Sequence, residues 1–527
     1  MKLVFKFGDT KIKIPYEDLE NYFDVGKIYK MFSDMYKTAE NPFFNLFPSS
    51  VSPGKDMNGN VLSNLMNYYN NVNKAYQNHT KNSFGEDDNE DILPVNGHDI
   101  YNYVARYGIA NCQIQAIMTL DGKLDNDKLS KAVRLSFDAE PVFGCRFVEN
   151  NPPFWKRRDD LDKIVLCTLE ENNNTDQAVK RFLDSPLNMD TDPMVKLRLI
   201  RSEQNDVLAL KVNHACCDGT GVKEYIQLLA DIYSIIDENK DYVSEPRNRT
   251  RSDQDRLFES LGITDLDSAF VPGSEILLPT WPFPWQQDSS NCTHMEIRKL
   301  SELQFEKISE YAKSRGATIN DLILTAFYRA MFDMGKPVYG YPMEIPVTVD
   351  LRRYLPEHRT EAIRNFSGSV NTQLSMKVNE TFDETLSRVI PVMREIKSGY
   401  PGVQSAIGLE RIEKMSFDET LAYYQVNPKA ADSDEYPVYG GDKCVPTLSN
   451  LGYVSKSLIR FGKNIVNDAS IISPVVRAPG ILLMISTYNG TVTMSMGYYE
   501  KSIHRSDINT LLDRVKNELV EFADSPK

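Results

Sequence analysis

The run Asp206–Glu238 constrains the chain more than any other: a fully apolar stretch passes into a short polar turn, and that turn opens an amphipathic helix. Val207-Leu-Ala-Leu-Lys-Val212 is rich in branched residues and bounded by Asp206 and Asn213, so it reads as a buried strand. Val222, Tyr225, Ile226, Leu229, Ile232, Tyr233 and Ile236 then recur at three- and four-residue intervals, which predicts a helix with one face on a core. The turn between them, His214-Ala-Cys-Cys-Asp218-Gly219, holds an imidazole, a carboxylate and glycine at a strand end. A rigid scaffold that presents such groups on a loop is a common setting for catalysis. Gly219 and Gly221 are expected to let the backbone turn.

At 527 residues the chain exceeds one core, so two lobes plus an extension are expected. A formal net charge of −14, with no basic cluster interleaved with aromatics, argues against nucleic acid as a partner. Seven scattered cysteines without a C-x-x-C pair fit reduced thiols, and the start of the sequence turns polar within a few residues; both point to a cytoplasmic protein. No apolar run approaches the twenty residues of a membrane span.

Residues 1–92 read as an N-terminal extension: a β-like start, a helix carrying Tyr22, Phe23, Ile28 and Phe32, an Asn- and Gly-rich tract, and an acidic linker at Glu86–Asp91. Residues 93–275 show a strand-helix-strand rhythm through Asn111–Leu120, Leu129–Phe137 and Val142–Phe147. Residues 276–289, with Trp281-Pro-Phe-Pro-Trp285, read as a stiff crossing linker. In 290–527 a helix over Leu300–Arg315 precedes Thr318-Ile-Asn-Asp321, a capping pattern. Strands are expected at Met343–Val349 and Ser369–Val378, a hairpin around Asn489-Gly490, and a last helix from Ser506.

Several ordered landmarks together resemble the chloramphenicol-acetyltransferase-like superfamily, which includes condensation domains and alcohol acetyltransferases. They are Leu120-Asp-Gly-Lys-Leu-Asp125, Glu140-Pro-Val-Phe-Gly-Cys-Arg-Phe147, Asn213-His-Ala-Cys-Cys-Asp-Gly219, Thr318-Ile-Asn-Asp-Leu322, Val347-Thr-Val-Asp-Leu-Arg352 and Leu448-Ser-Asn-Leu-Gly452. The resemblance covers about 93–527. It implies an α/β fold of two lobes in a V shape around an inter-lobe tunnel, with the histidine at its centre. Two departures stand out: condensation domains usually carry two adjacent histidines where this chain has Asn213-His214, and the late loop reads Ser-Asn-Leu-Gly.

The expected function is acyl transfer from a thioester, acyl-CoA or carrier-bound, to an alcohol or amine, with His214 as the general base. The rival readings are a free-standing condensation domain forming amides and a non-catalytic binding paralogue. Partners would be small-molecule donor and acceptor and an acyl carrier protein. Asp218 joins His214 as a candidate catalytic residue; it could polarise the imidazole, but the resemblance favours a structural pairing with Arg352, Arg353 or Arg146. Gly219 and Arg352 are expected to support the site. Ser449 and Asn450 are candidate oxyanion donors by position, or simple loop formers. Cys216 or Cys217 as nucleophile, and a metal on His214, Cys217 and Asp218, are weaker alternatives. The other histidines, His79, His98, His294, His358 and His504, stand alone in the sequence. Gly219-Thr-Gly221 lacks the third glycine of a dinucleotide fingerprint and no P-loop occurs, so no bound cofactor is expected.

Overall fold

The computed structural model describes residues 2–7, 10–15, 91–246, 251, 253–271, 279–286, 292–424 and 441–521. The chain divides into two units, 1–84 and 85–527. In the first, Lys2–Phe7 and Thr10–Pro15 pair as an antiparallel hairpin. The helix expected around Tyr22–Phe32 and the acidic linker at 86–90 lie outside the described residues.

Two large sheets organise the second unit. One has six strands in the order 460–461, 464–472, 113–120, 206–213, 195–201, 167–171. The other runs 293–300, 491–499, 480–488, 441–453, 342–350, 367–375, and strand 281–285 adds to 441–453. A three-stranded sheet of 92–93, 154–157 and 145–148 flanks them. Each large sheet owns a core: Val133, Phe137, Leu210, Tyr225 and Leu229 on the first, Leu322, Phe327, Ile345, Leu483 and Leu512 on the second.

Asp206–Asn213 is buried at every position because both neighbours in the sheet and the helix Gly219–Glu238 cover it. It is therefore an interior strand and delivers His214 at its end. Thr318 caps Ile319–Gly335 in a reciprocal box with Asp321. Asn489 and Gly490, at φ 45° and 78°, make the tight turn between Gly480–Tyr488 and Thr491–Tyr499.

Three expectations are corrected. Asn464–Ile472 pairs with Gln113–Leu120 and carries Arg460–Phe461 on its other side, so both strands belong to the first sheet and 290–527 is not a single lobe. Trp281–Trp285, expected as linker, is a strand on Gly441–Tyr453; its indole N–H groups donate to the carbonyls of Glu344 (2.6 Å) and Lys443 (2.7 Å). Two prolines are tolerated because the strand pairs on one side only. Leu448–Gly452, expected as a loop, lies within Gly441–Tyr453, whose register shifts after Asn450.

Candidate active site

His214 follows its strand directly, and its amide donates to the carbonyl of Cys112 at 2.7 Å. Its ring lines a cavity of about 650 Å³ together with Tyr101 of the helix Gly97–Val104, Ala110 and Cys112 just before the strand Gln113–Leu120, and Thr348, Ser369 and Thr447 of the second sheet.

Asn365, which no local sequence pattern singles out, fixes the ring. Its amide nitrogen faces the carbonyls of His214 (2.9 Å) and Ala215 (2.8 Å) and Asp99 Oδ1 (3.3 Å). Three acceptors around one nitrogen assign the amide's orientation, so Oδ1 is the atom 3.2 Å from His214 Nδ1. Nδ1 then carries the proton and Nε2 keeps a lone pair. Burial lowers the His214 pKa; a hydrogen bond to its own backbone, the charge of Asp218 and the Asn365 contact oppose this without cancelling it. The ring is a neutral base of fixed tautomer.

Asp218 makes no hydrogen bond to His214. It caps Gly219–Glu238, with Oδ1 accepting from the amide of Gly221 at 2.8 Å. Its Oδ2 accepts from the amide of Phe366 at 2.7 Å and from Arg352 Nη1 at 3.0 Å. Burial pushes this carboxyl up, yet the Arg352 guanidinium and the two amides overcome that and hold it below the usual value. The carboxylate thus bonds Arg352, the partner the resemblance favoured, and two amides, and so braces the turn. Arg352 also donates to the carbonyl of Arg364 at 2.9 Å, tying the turn to the segment that carries Asn365. Arg352 sits on a short 3-10 turn, Leu351–Tyr354, just past the strand Pro342–Asp350.

The glycines act by closeness, since neither Gly219 nor Gly221 has positive φ. A Cβ on Gly219 would stand 2.6 Å from Leu451 Cδ2, and one on Gly221 2.6 Å from Cys217 Cβ and 3.2 Å from the Arg364 carbonyl. Lys223, one turn on, donates to the carbonyl of Leu451 at 2.8 Å. The helix start thus presses against a strand of the second sheet.

The remaining candidates divide. Arg146 is exposed on Cys145–Val148, and Arg353 lies over the ring of Tyr354, so neither reaches Asp218. Ser449 is buried and accepts from Thr348 Oγ1 at 3.0 Å, one hydroxyl removed from the cavity. Asn450 bonds Asn320 and the amide of Gly452, stabilising the strand irregularity away from the cavity wall. Cys216 and Cys217 are fully buried and absent from the wall; burial holds the Cys217 thiol well above its normal pKa, contrary to what a nucleophile needs. Among the described residues no trio of His, Cys, Asp or Glu ligand atoms converges on His214. His98 does reach the cavity, its Nε2 3.0 Å from the carbonyl of Ser367; burial and then Arg364 lower its pKa to about 4.

Behind Asn365 lies a buried polar brace. Asp99 accepts from Arg251 at 2.9 Å and from the indole of Trp155 at 3.0 Å. Arg364, fully buried, reaches Asp253 at 3.3 Å and the carbonyl of Arg251. These partners lie up to 266 residues apart, which is why no local motif announced them.

The family model described as the Condensation domain matches residues 109–250. No curated protein sequence matches the chain significantly. Among solved structures, the chain is similar to polyketide synthase associated protein 5 from Mycobacterium tuberculosis, at 15% identity and TM-score 0.54 over 82% of this chain and 98% of that one. It is also similar to the first condensation domain of the CDA synthetase, at 15% identity and TM-score 0.55, covering 83% and 97%. A trichothecene 15-O-acetyltransferase from Fusarium sporotrichioides matches at 12% identity and TM-score 0.60, covering 82% and 94%. No helix among the described residues is long and apolar enough to cross a membrane. The family match includes the His214 turn, and the structural matches cover over four-fifths of the chain, so the fold is the one shared by condensation domains and the trichothecene acetyltransferase.

Proposed function

We propose that the chain is an acyltransferase that moves an acyl group from a thioester to an alcohol or amine, with His214 Nε2 as the general base. The observation that carries this is the fixed tautomer: Asn365 holds Nδ1–H, and the opposite nitrogen is left to a cavity large enough for two reactants. The acceptor O–H or N–H gives its proton to Nε2 as its lone pair attacks the thioester carbon. The tetrahedral oxyanion collapses, the C–S bond breaks, and the imidazolium returns the proton to the thiolate. No acyl-enzyme forms: Cys112, the cysteine on the wall beside His214, points its thiol at the carbonyl of Ala110, and burial pushes its pKa up to about 12, contrary to what a nucleophile needs. Asp218 and Arg352 keep the turn in register and touch no substrate.

Both similar enzyme types, an O-acetyltransferase and a condensation domain, bear on the acceptor, so alcohol and amine remain paired in the proposal. The test is thiol release from a panel of acyl-CoA and carrier-bound thioesters with added alcohols and amines. Release that depends on the acceptor is expected. Binding of thioesters without any turnover across the panel would instead identify a non-catalytic relative.

A further inference from the structure

The edge of the second sheet gathers a thiol, an imidazole and a carboxylate far apart in sequence. Cys292 immediately precedes Thr293–Leu300 and His294 lies on it, two residues apart and so on one face. Thr293 pairs with Tyr499, and the Glu500 amide donates to the Cys292 carbonyl at 3.0 Å, which puts Glu500 opposite Cys292 on that face. Cys292 Sγ lies 3.9 Å from His294 Nε2, and Glu500 Oε1 lies 3.9 Å from the same nitrogen. All three ligand atoms fall within 4.8 Å of one another.

The second observation sits behind the ring. Asp184, last residue of the helix Thr175–Asp184, places Oδ2 3.3 Å from His294 Nδ1. The carboxylate is itself held: the Met295 amide donates to Oδ1 at 3.2 Å and Lys180 Nζ pairs with Oδ2 at 3.0 Å. A carboxylate on Nδ1 fixes that proton there and turns Nε2 outward as a lone-pair donor, the arrangement that orients metal-binding histidines. Tetrahedral zinc, with Zn–N of ~2.1 Å and Zn–S of ~2.3 Å, separates its ligand atoms by about 3.4–3.6 Å, a few tenths of an ångström less than the two distances to Nε2. Two exposed side chains can close that gap by rotation.

We propose that Cys292 Sγ, His294 Nε2 and a Glu500 carboxylate oxygen bind one Zn²⁺, with Asp184 orienting the imidazole and a fourth position open to water. Binding deprotonates the thiol, whose proton goes to solvent. The thiolate selects zinc over magnesium and calcium, which favour all-oxygen sites. The ion would join a helix packed on the first sheet to an edge of the second through His294 and Asp184. It would also lie one residue from Tyr499, which lines the active-site cavity. This site is independent of the acyl-transfer proposal.

The test is zinc uptake by the full chain after chelator treatment, read by competition with a chromophoric zinc indicator, for the wild type, Cys292→Ser, His294→Gln and Asp184→Asn. The wild type should take up one Zn²⁺ more per chain than Cys292→Ser or His294→Gln, with no competition from excess Mg²⁺. Asp184→Asn should keep the stoichiometry and lose about 10–100-fold in affinity. Cys292→Ser alters an exposed residue, so an unchanged melting temperature without metal establishes that it folds. Cobalt gives a second reading, because the other six cysteines are buried: a thiolate-to-cobalt absorption band should appear in the wild type and be absent from Cys292→Ser. Equal zinc uptake by the wild type and Cys292→Ser, or the same cobalt band in both, would overturn the proposal.

Discussion

Asp218→Asn separates a brace from a catalytic carboxylate. In the wild type the two carboxylate oxygens accept from Gly221, Phe366 and Arg352, all donors. An asparagine must turn its NH₂ toward one of them, so at least one buried donor loses its acceptor, at ~1–3 kcal/mol. The variant also removes the negative partner nearest the buried Arg352 guanidinium. Breaking a buried pair on one side costs about 3–5 kcal/mol, a figure that already contains the unpaired donor, so the two are not summed. Arg352 keeps Asp350 at 3.2 Å, which is half exposed, and Glu224 at 3.4 Å, which places the expected loss near the lower end. With ~2 °C lost per kcal/mol in a large chain, the melting temperature should fall by roughly 6 °C. The assay is a thermal melt beside a pH profile of kcat/KM. Activity should drop with stability, while the acid limb of the profile moves only slightly downward, because the charge of Asp218 is a lesser influence on His214 than burial. An unchanged melt together with a large displacement of the acid limb would refute the brace and restore a triad.

Three further outcomes follow from the same geometry. Asn365→Leu frees the His214 ring and leaves two backbone carbonyls unpaired, so kcat should fall by about 10²-fold with KM little changed; an unaltered kcat would contradict the assigned tautomer. Because burial lowers the His214 pKa, the neutral base persists below the ordinary value of 6.5, and the acid limb of kcat/KM should lie under that pH; steady-state rates across the acid range check it. Gly221→Ala meets Cys217 Cβ and a backbone carbonyl, neither free to move, and should cost ~1–3 kcal/mol in a denaturant melt. Gly219→Ala meets the tip of Leu451, which can turn, and should cost less.

What the sequence disclosed follows the range of the interactions. Asp206–Asn213, Gly219–Glu238 and the Asn489-Gly490 hairpin are specified by neighbouring residues, and period and turn chemistry announced them. The pairing of Asp218 with Arg352 spans 134 residues and was reachable only through family resemblance. Asn365 carries no local signature, since its importance arises from three acceptors assembled by folding. The passage of Asn464–Ile472 into the first sheet is equally hidden, because the apolar face of a strand does not state which sheet it joins. Cys292 and His294 read as isolated residues until the strand register brought Glu500 opposite.

The most direct measurement is acceptor-dependent thiol release by His214→Gln beside the wild type, with a thioester and acceptor that the wild type turns over. The account predicts a loss of about 10²–10⁴-fold with an unchanged melting temperature. Near-normal turnover by the variant would contradict it.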